Sequence, residues 1–469
     1  MIRVIGGTPR PGFLNPRGIS VEYRVIIGIL IWLGALSLAS AFVSLPFFTE
    51  PAAAANINYA HTMYLHGLLI GMVGLIGLVA FDVFECEHKG LRALMLWGTL
   101  GATVLSGVGG IFDRSIADTV PLWMQIVSFF FLDEILITLA LGLYGRARAT
   151  GRLVAWVATV SAVGGFFAAV MGHVAGWILD FGPWPPVLAS YAHFIGLSPA
   201  AWEANLITSH SHEMVVAVLG LLAATAVAAF AQERADGLNR WVKIGLWDIV
   251  VGTVLMTLIY VVAGFTQAQP PTFFAFGPHG VNGIAGDDLV TGLGVMLGAT
   301  IALVGVSLER LEDNLLHWAS AAFSLMILAT VVIAGYYIEL SETVFQAKGA
   351  TSDAVFTFWH QDFAFFIIPA VMVVLQILHR MVADAATRTR IATLLTGGGG
   401  LAFLGGLSYV FWTPTRTSLP FWLTAVGFAA LVAGVVWTIA ALLASSGRAV
   451  VAPSAPAAGP GSKQARVEA

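Results

Sequence analysis

The sequence predicts an all-α polytopic membrane protein with twelve transmembrane helices. Hydrophobic residues make up 58% of the 469-residue chain and charged residues only 10%, whereas a soluble domain carries about 25% charged residues. The apolar residues recur in blocks of about 20, the length that crosses the hydrocarbon core of a bilayer as a helix. Composition and block length together therefore exclude an ordinary soluble domain and make the lipid bilayer the main partner of the chain.

Twelve apolar segments follow one another along the chain. They cover about 25–48, 61–83, 92–112, 122–144, 153–179, 207–231, 243–264, 289–308, 317–338, 356–379, 391–411 and 419–445. The sequence therefore predicts a short N-terminal segment (1–24), a membrane domain (25–445) and a tail (446–469). The tail is rich in Pro, Ala and Gly, a composition typical of disorder.

The basic residues fix the predicted orientation. Nineteen of the 22 Lys and Arg residues fall in the two termini and in the connections that follow even-numbered segments. Only Arg114, Lys348 and Arg416 fall on the other side. The positive-inside rule then places both termini in the cytoplasm, as expected for an even number of helices in an inner membrane.

The single cysteine excludes several kinds of disulfide, haem and metal site. Cys86 is the only cysteine, so the chain has no internal disulfide, no Cys-x-x-Cys-His haem attachment and no paired-cysteine metal site. Nothing in the sequence suggests nucleic acid as a partner.

Six of the eleven histidines are predicted at one depth, in the outer third of the membrane. Ionisable residues at such depth are costly and usually functional, and imidazole is the commonest protein ligand of transition metals and haem iron. A lone histidine of this kind is equally well explained as a hydrogen-bonded structural residue, but six on four segments favour a shared site. They are His61 and His66 on segment 2, His173 on segment 5, His210 and His212 on segment 6, and His360 on segment 10.

The remaining histidines have ordinary interpretations. His88, His317 and His379 lie at cytoplasmic segment ends and are interpreted as interfacial residues. His193 and His279 fall in predicted outer loops and are interpreted as solvated.

Spacing within the layer separates its members. His210 and His212 are two residues apart, about 200° around a helix, so they suit two centres rather than one metal. Glu213 is three residues after His210 and shares its face, where it could meet the same metal or a proton path. His61 and His66 are about 140° apart around a helix and are also expected to face different neighbouring helices.

Two adjacent acids lie well inside segment 4. Asp133 and Glu134 interrupt the apolar run "FFFLDEILITLAL". Carboxylates within a membrane helix indicate a proton route or a partner for a histidine or arginine.

These features resemble the catalytic subunit of the haem–copper oxidase superfamily, which includes oxygen and nitric oxide reductases. Segments 2, 6 and 10 all run inward with histidine near the outer end, as in a protein of three pseudo-repeated four-helix units. The stretch "YAHTMYLHGLLIGMVGLIGLVAF" looks like the family's second helix, whose haem-binding histidine corresponds to His61. The pair His210–Ser211–His212 is similar to the family's His-x-His, which holds two haems from opposite faces of one helix.

The resemblance implies a membrane haem oxidoreductase acting on oxygen or nitric oxide. Its two haems would be held by His61, His210, His212 and His360, with copper or non-haem iron as a further metal. His66, His173 and Glu213 would serve that metal or proton delivery, and Asp133 and Glu134 would carry protons. Electrons would come from quinol or a cytochrome partner subunit.

This sequence departs from the family's pattern in three places. Its His-x-His pair lies on segment 6 instead of segment 10, and segment 10 has His360 alone. The adjacent histidines that help bind the family's copper are absent, as is a His-x-x-x-Tyr motif on segment 6. Because of these departures, the family's copper site and its assignment of histidines to haems do not transfer directly to this sequence.

A second resemblance concerns "SHSHEM" alone. It is similar to the His-x-His-Glu-Met stretch of a family of twelve-helix haem- and copper-containing membrane proteins linked to nitric oxide stress. Two alternatives to an enzyme stay open at the level of sequence. One is a non-catalytic haem or metal protein, and the other is a secondary transporter, for which twelve helices is a common size.

Overall fold

The computed structural model is helical throughout the residues it describes. These are 21–44, 54–86, 88–112, 120–180, 185–232, 237–265, 284–309, 314–340, 358–382, 384–411 and 418–446, and they contain no β-strand. The predicted N-terminal segment up to residue 20 and the predicted tail from residue 447 lie outside this part of the chain.

Thirteen α-helices and one π-helical segment make up the described chain. The first seven helices are α1 (Val21–Ser44), α2 (Ala54–Val83), α3 (Lys89–Phe112), α4 (Val120–Thr150), α5 (Leu153–Asp180), α6 (Pro185–Phe194) and α7 (Pro199–Gln232). The next three are α8 (Arg240–Phe265), α9 (Ile284–Ser307) and α10 (Asn314–Leu340). The π-helical segment Phe358–Ile367 runs directly into α11 (Ile368–Met381), which is followed by α12 (Ala385–Phe411) and α13 (Leu419–Ser446).

The helices agree with the prediction of a multi-pass α-helical membrane protein. Within the described residues, nine helices are long and apolar enough to span a membrane, and α1, α9 and α10 contain shorter apolar stretches. The count of twelve spanning helices stays a prediction. The short helix α6 lies in a stretch that the sequence suggested was an outer loop, and His193 is an exposed residue of that helix.

Local sequence signals explain where several helices begin and end. Gly151 ends α4 with φ +63°, a left-handed conformation that glycine adopts without strain, and its N–H donates to the Ala147 carbonyl at 2.8 Å. Asn239 precedes α8, and its Oδ1 accepts a hydrogen bond from Val242 N at 2.9 Å. These caps satisfy backbone groups that helix ends otherwise leave without partners.

Helices α2 and α7 form the centre of the bundle. In their apolar windows, 89% and 94% of the residues are buried, whereas the corresponding window of α13 is only 28% buried and faces outward. Small residues allow close helix contacts elsewhere: a Cβ on Gly298 of α9 would lie 2.7 Å from the Gly245 carbonyl of α8. His66, His210 and Glu213 lie within these windows and are thus placed largely inside the protein.

Four arginines of the described chain lie at one end of the bundle. We call it the basic end, defined by Arg92, Arg146, Arg240 and Arg380, which lie near the ends of α3, α4, α8 and α11. The other end contains the starts of α2 and α7 and the end of α5. It is called the histidine end.

Candidate functional site at the histidine end

Three histidines from three different helices come together at the histidine end. His66 of α2 and His210 of α7 have parallel rings, with centroids 6.4 Å apart and planes 4° apart. His173 of α5 also lies close enough to interact electrostatically with His210. These residues, with the groups that contact them, are called the histidine cluster.

The ring of His210 is held by the backbone of α5. Its Nδ1 donates a hydrogen bond to the Ala168 carbonyl oxygen at 2.7 Å, and because a carbonyl only accepts, the ring carries a proton on Nδ1. Gly172, one turn further along α5, leaves the space that the ring occupies, because a Cβ there would lie 2.5 Å from Nδ1. An imidazole tied through Nδ1 to a backbone carbonyl presents Nε2 to a ligand, the usual arrangement of a metal-binding histidine.

His173 is held by a carboxylate. Its Nδ1 lies 2.9 Å from Asp133 Oδ2 on α4, and both side chains are mostly buried. Its Nε2 is buried without a hydrogen-bond partner within the described residues. A carboxylate on one nitrogen and an open second nitrogen again match the second-shell pattern around metal-binding histidines.

Aromatic rings separate the members of the cluster. Phe129 of α4 lies between His66 and His173, with centroid distances of 5.8 Å and 5.4 Å. Phe130 also packs against His173, with ring centroids 5.6 Å apart. These rings keep the surroundings apolar, so electrostatic interactions there are stronger than in water.

The two adjacent acids of α4 serve different neighbours. Asp133 reaches α5 through His173, whereas Glu134 accepts a hydrogen bond from Thr138 Oγ1 at 3.2 Å and borders Gly98 of α3. Successive residues of a helix point about 100° apart. Only Asp133 belongs to the histidine cluster.

Glu213 is fully buried one helical turn beyond His210. It faces α5, since a Cβ on Gly164 would lie 3.5 Å from Glu213 Oε1. The same glycine is bordered by Thr253 and Thr257 of α8. Glu213 therefore lies between the cluster and a group of hydroxyl side chains.

The structure describes the other predicted ligands less fully. His212 is partly buried on α7, two residues and about 200° from His210, so it lies on another side of that helix. His61 belongs to α2 and His360 to the π-helical segment, but their side chains lie outside the described residues.

An apolar cavity of about 250 Å³ lies between α1, α2, α11 and α13. On α2 it is lined by Leu68, Met72 and Leu75. His61 is seven residues before Leu68, which places its backbone position on the same face of α2, about two turns nearer the histidine end. His66 occupies a different face of α2 and belongs to the histidine cluster.

A metal ion held only by protein side chains needs about three or four ligands. Within the part of the chain that the structure describes, no three His, Cys, Asp or Glu side chains are gathered to hold one ion. The cluster instead offers separate imidazoles, which suits a cofactor that brings most of its own ligands.

Sequence reasoning missed one histidine pair. His317 is only 5% exposed and contacts His379, a pairing that the interpretation of both residues as interfacial did not include. Both residues lie near helix ends on the same side of the predicted topology, which was the available signal that they might meet.

Neither the models of known protein families nor the curated protein sequences contain a match to this chain. The likeness to haem–copper oxidases stays a resemblance, and function is inferred from the site itself.

Proposed function

We propose that this protein is a membrane haem oxidoreductase that acts on a small diatomic gas, oxygen or nitric oxide. The observation that carries the proposal is the pair of parallel imidazoles, His66 and His210, 6.4 Å apart inside the bundle. A metal–nitrogen bond is about 2 Å, and a ring nitrogen lies roughly 1 Å from its ring centre. An imidazole binds a metal in the plane of its own ring, and these two rings are stacked, so the distance between them is suitable but His66 would have to turn for both rings to bind one metal.

Haem fits this donor set better than a bare metal ion does. The porphyrin supplies four ligands to its iron, so the protein needs to supply only one or two. His66 and His210 would hold the haem, and the Ala168 carbonyl would orient His210. A bound haem supplies the redox-active iron at which a diatomic gas can be bound and reduced.

A second haem is proposed in the apolar cavity. Its lining side chains on α1, α2, α11 and α13 are apolar, as a porphyrin face requires. The register of α2 makes His61 the candidate ligand there. His212 and His360 remain the further candidates for haem ligation, and copper or non-haem iron remains a candidate second metal near His173.

The remaining residues of the cluster are suited to handling protons. Asp133 holds His173 at 2.9 Å, so the pair can accept or release a proton at His173 Nε2. Glu213 is buried beside His210 and the hydroxyls of α8, where it can pass a proton toward the cluster. Phe129 and Phe130 exclude water around the rings.

Electrons would come from outside the chain. The single cysteine leaves no covalent haem motif and no cysteine-based copper centre. We propose quinol or a cytochrome partner subunit as the donor, and access of the uncharged gas through the lipid.

The first test is an optical and metal analysis of the purified protein. The expected result is a Soret band and bound iron in the wild type, and loss of the same spectral component in His66→Ala and in His210→Ala. His193→Ala is the matched control, because that histidine is exposed on α6, and it should leave the spectrum unchanged. His212→Ala should remove a different component or none.

Two outcomes would count against the proposal. Absence of a Soret band and of iron from wild-type protein would remove the haem assignment and favour a transporter. A haem spectrum without carbon monoxide binding in the dithionite-reduced protein would favour a non-catalytic haem protein.

A further inference from the structure

A second histidine pair lies at the basic end, far from the histidine cluster. His317 is the fourth residue of α10 and His379 the third from the end of α11. Their ring centroids are 5.8 Å apart and their planes 60° apart. Asp82, which lies beside this pair through its contact with Arg380, is sixteen residues beyond His66 on α2, a rise of about 24 Å.

The two rings line a small cavity between α2, α7, α10 and α11. Its volume is about 20 Å³, and its polar lining consists of His317, Ser320, Gln376, His379 and Arg380. A cavity of about 10–15 Å³ with two or more polar partners is enough for one buried water. The cavity is thus of the right size and polarity for a single water molecule.

Hydrogen bonds and an ion pair hold three of the polar lining groups in place. Gln376 Nε2 donates to the Leu222 carbonyl at 3.0 Å, Ser320 Oγ donates to the Leu316 carbonyl at 3.0 Å, and Arg380 pairs with Asp82. A neutral imidazole has one donor and one acceptor nitrogen. A water in the cavity can therefore accept from one ring and donate to the other.

The fixed charges around the rings balance. Arg380 on α11 and Asp82 on α2 form an ion pair with both side chains mostly buried. The lining residues contributed by α7, Ala226 and Ala229, carry no charge. One added positive charge on the imidazoles is therefore not opposed by an uncompensated arginine, whereas two like charges less than 6 Å apart repel strongly.

We propose that this cavity is a proton-binding site in which a water bridges His317 and His379 and the pair shares one proton. The proton comes from hydronium in the aqueous phase at the basic end and is bound to an imidazole nitrogen, leaving water behind. The site rests on its own contacts and does not require a haem at the histidine end.

The experiment is a titration of the histidine side chains by NMR. Protein labelled with ¹⁵N in the imidazole rings is prepared in detergent micelles, and the nitrogen shifts are followed from pH 5 to pH 9. Comparison with His317→Gln and His379→Gln assigns the two rings. His88→Gln is the control, since His88 is exposed at the same end of the bundle and its loss should leave the curves of both rings unchanged.

A shared proton predicts coupled titrations. In the wild type, the two rings should titrate with a common midpoint. The ¹⁵N chemical shift of each ring should change by about half of the difference between a neutral and a fully protonated imidazole. In either Gln variant, the remaining ring should titrate over the full shift with a changed midpoint. If a Gln variant does not fold, the wild-type curves still decide, because two histidines with half-amplitude steps and one midpoint support the pair.

The proposal is overturned if neither ring titrates between pH 5 and pH 9. It is overturned equally if each ring titrates fully and independently, with the curve of one unchanged by removal of the other. Either result would leave the pair as packed structural residues.

Discussion

Each clustered histidine is oriented by a neighbour on a different helix, and this decides what the cluster can bind. His210 depends on a carbonyl of α5, His173 on Asp133 of α4, and His66 packs against Phe129. Intramembrane polar groups are tolerated when they are paired in this way. His173 Nε2 has no hydrogen-bond partner within the described residues, and rings that are already held in place bind a ligand with little loss of side-chain entropy.

The close approach of α5 to His210 can be tested by Gly172→Ala. The added Cβ would lie 2.5 Å from Nδ1 and 2.9 Å from Cγ of His210, so the ring must leave the Ala168 carbonyl. We expect a loss of about 1–3 kcal/mol in the free energy of unfolding, measured by denaturant unfolding in detergent micelles, and displacement of any ligand bound through His210.

Gly397→Ala is the matched control for this variant. Gly397 lies in α12, and a Cβ there would meet no atom within 4 Å. Because alanine favours the helix, the control should gain about 0.5–1 kcal/mol or stay unchanged. Equal stability of the two variants would contradict the role given to Gly172.

Much of the cluster could be predicted at the residue scale, but not its pairing. The positions of His66, His173 and His210 within their apolar segments predicted that all three lie at the same depth in the membrane. A carboxylate partner for a histidine was among the interpretations of Asp133 and Glu134. Which acid faces which helix depends on rotation of α4 about its axis. Side-chain packing fixes that rotation, and hydropathy carries no signal for it, since every face of α4 is apolar.

At the scale of helices, runs of apolar residues located the helices that are apolar along their whole length. They missed α6 (Pro185–Phe194) and the first two turns of α7, residues 199–206, because both stretches contain polar residues and proline. Proline at the first position of a helix is favourable. A search based on membrane hydropathy treats the same residues as a loop.

The turn between α2 and α3 is held by the side chains of two arginines, and Cys86 lies within it. Arg92 Nε donates to the Cys86 carbonyl at 2.5 Å, and Arg146 pairs with Glu85 at 2.5 Å. Burial raises the pKa of the Cys86 thiol to about 11, although the charges of Arg92 and Arg146 lower it. The thiol therefore stays protonated, and unreactive, at pH 8.

We expect maleimide to modify Cys86 at pH 8 roughly tenfold or more slowly in the folded protein than after unfolding in SDS, measured by mass spectrometry. The neutral thiol is favoured by the fold, so stability should fall as pH rises from about 9, the ordinary thiol value, toward 11. Cys86→Ser should remove that part of the pH dependence. Equal alkylation rates in folded and unfolded protein would show that the turn is open.

For the whole molecule, the notable feature is that α2 contributes to polar sites at both ends. His66 belongs to the histidine cluster, and Asp82 pairs with Arg380 beside the basic-end cavity. The apolar core of α2 between them is almost completely buried. The proposed oxidoreductase would consume protons at the histidine cluster, and the proposed proton-binding site lies at the other end, so the orientation of the bundle decides which solution each one faces.

The orientation is tested with single cysteines in a Cys86→Ser background. Phe194 is 84% exposed on α6 at the histidine end, and His88 is exposed at the basic end. Because basic loops are retained in the cytoplasm, a membrane-impermeant maleimide should label Phe194→Cys in intact cells, or in spheroplasts if an outer membrane is present. It should label His88→Cys only after the membrane is permeabilised. The reverse pattern would place the histidine cluster on the cytoplasmic side and make the basic-end pair face the outside, which would reverse the direction of proton uptake through it.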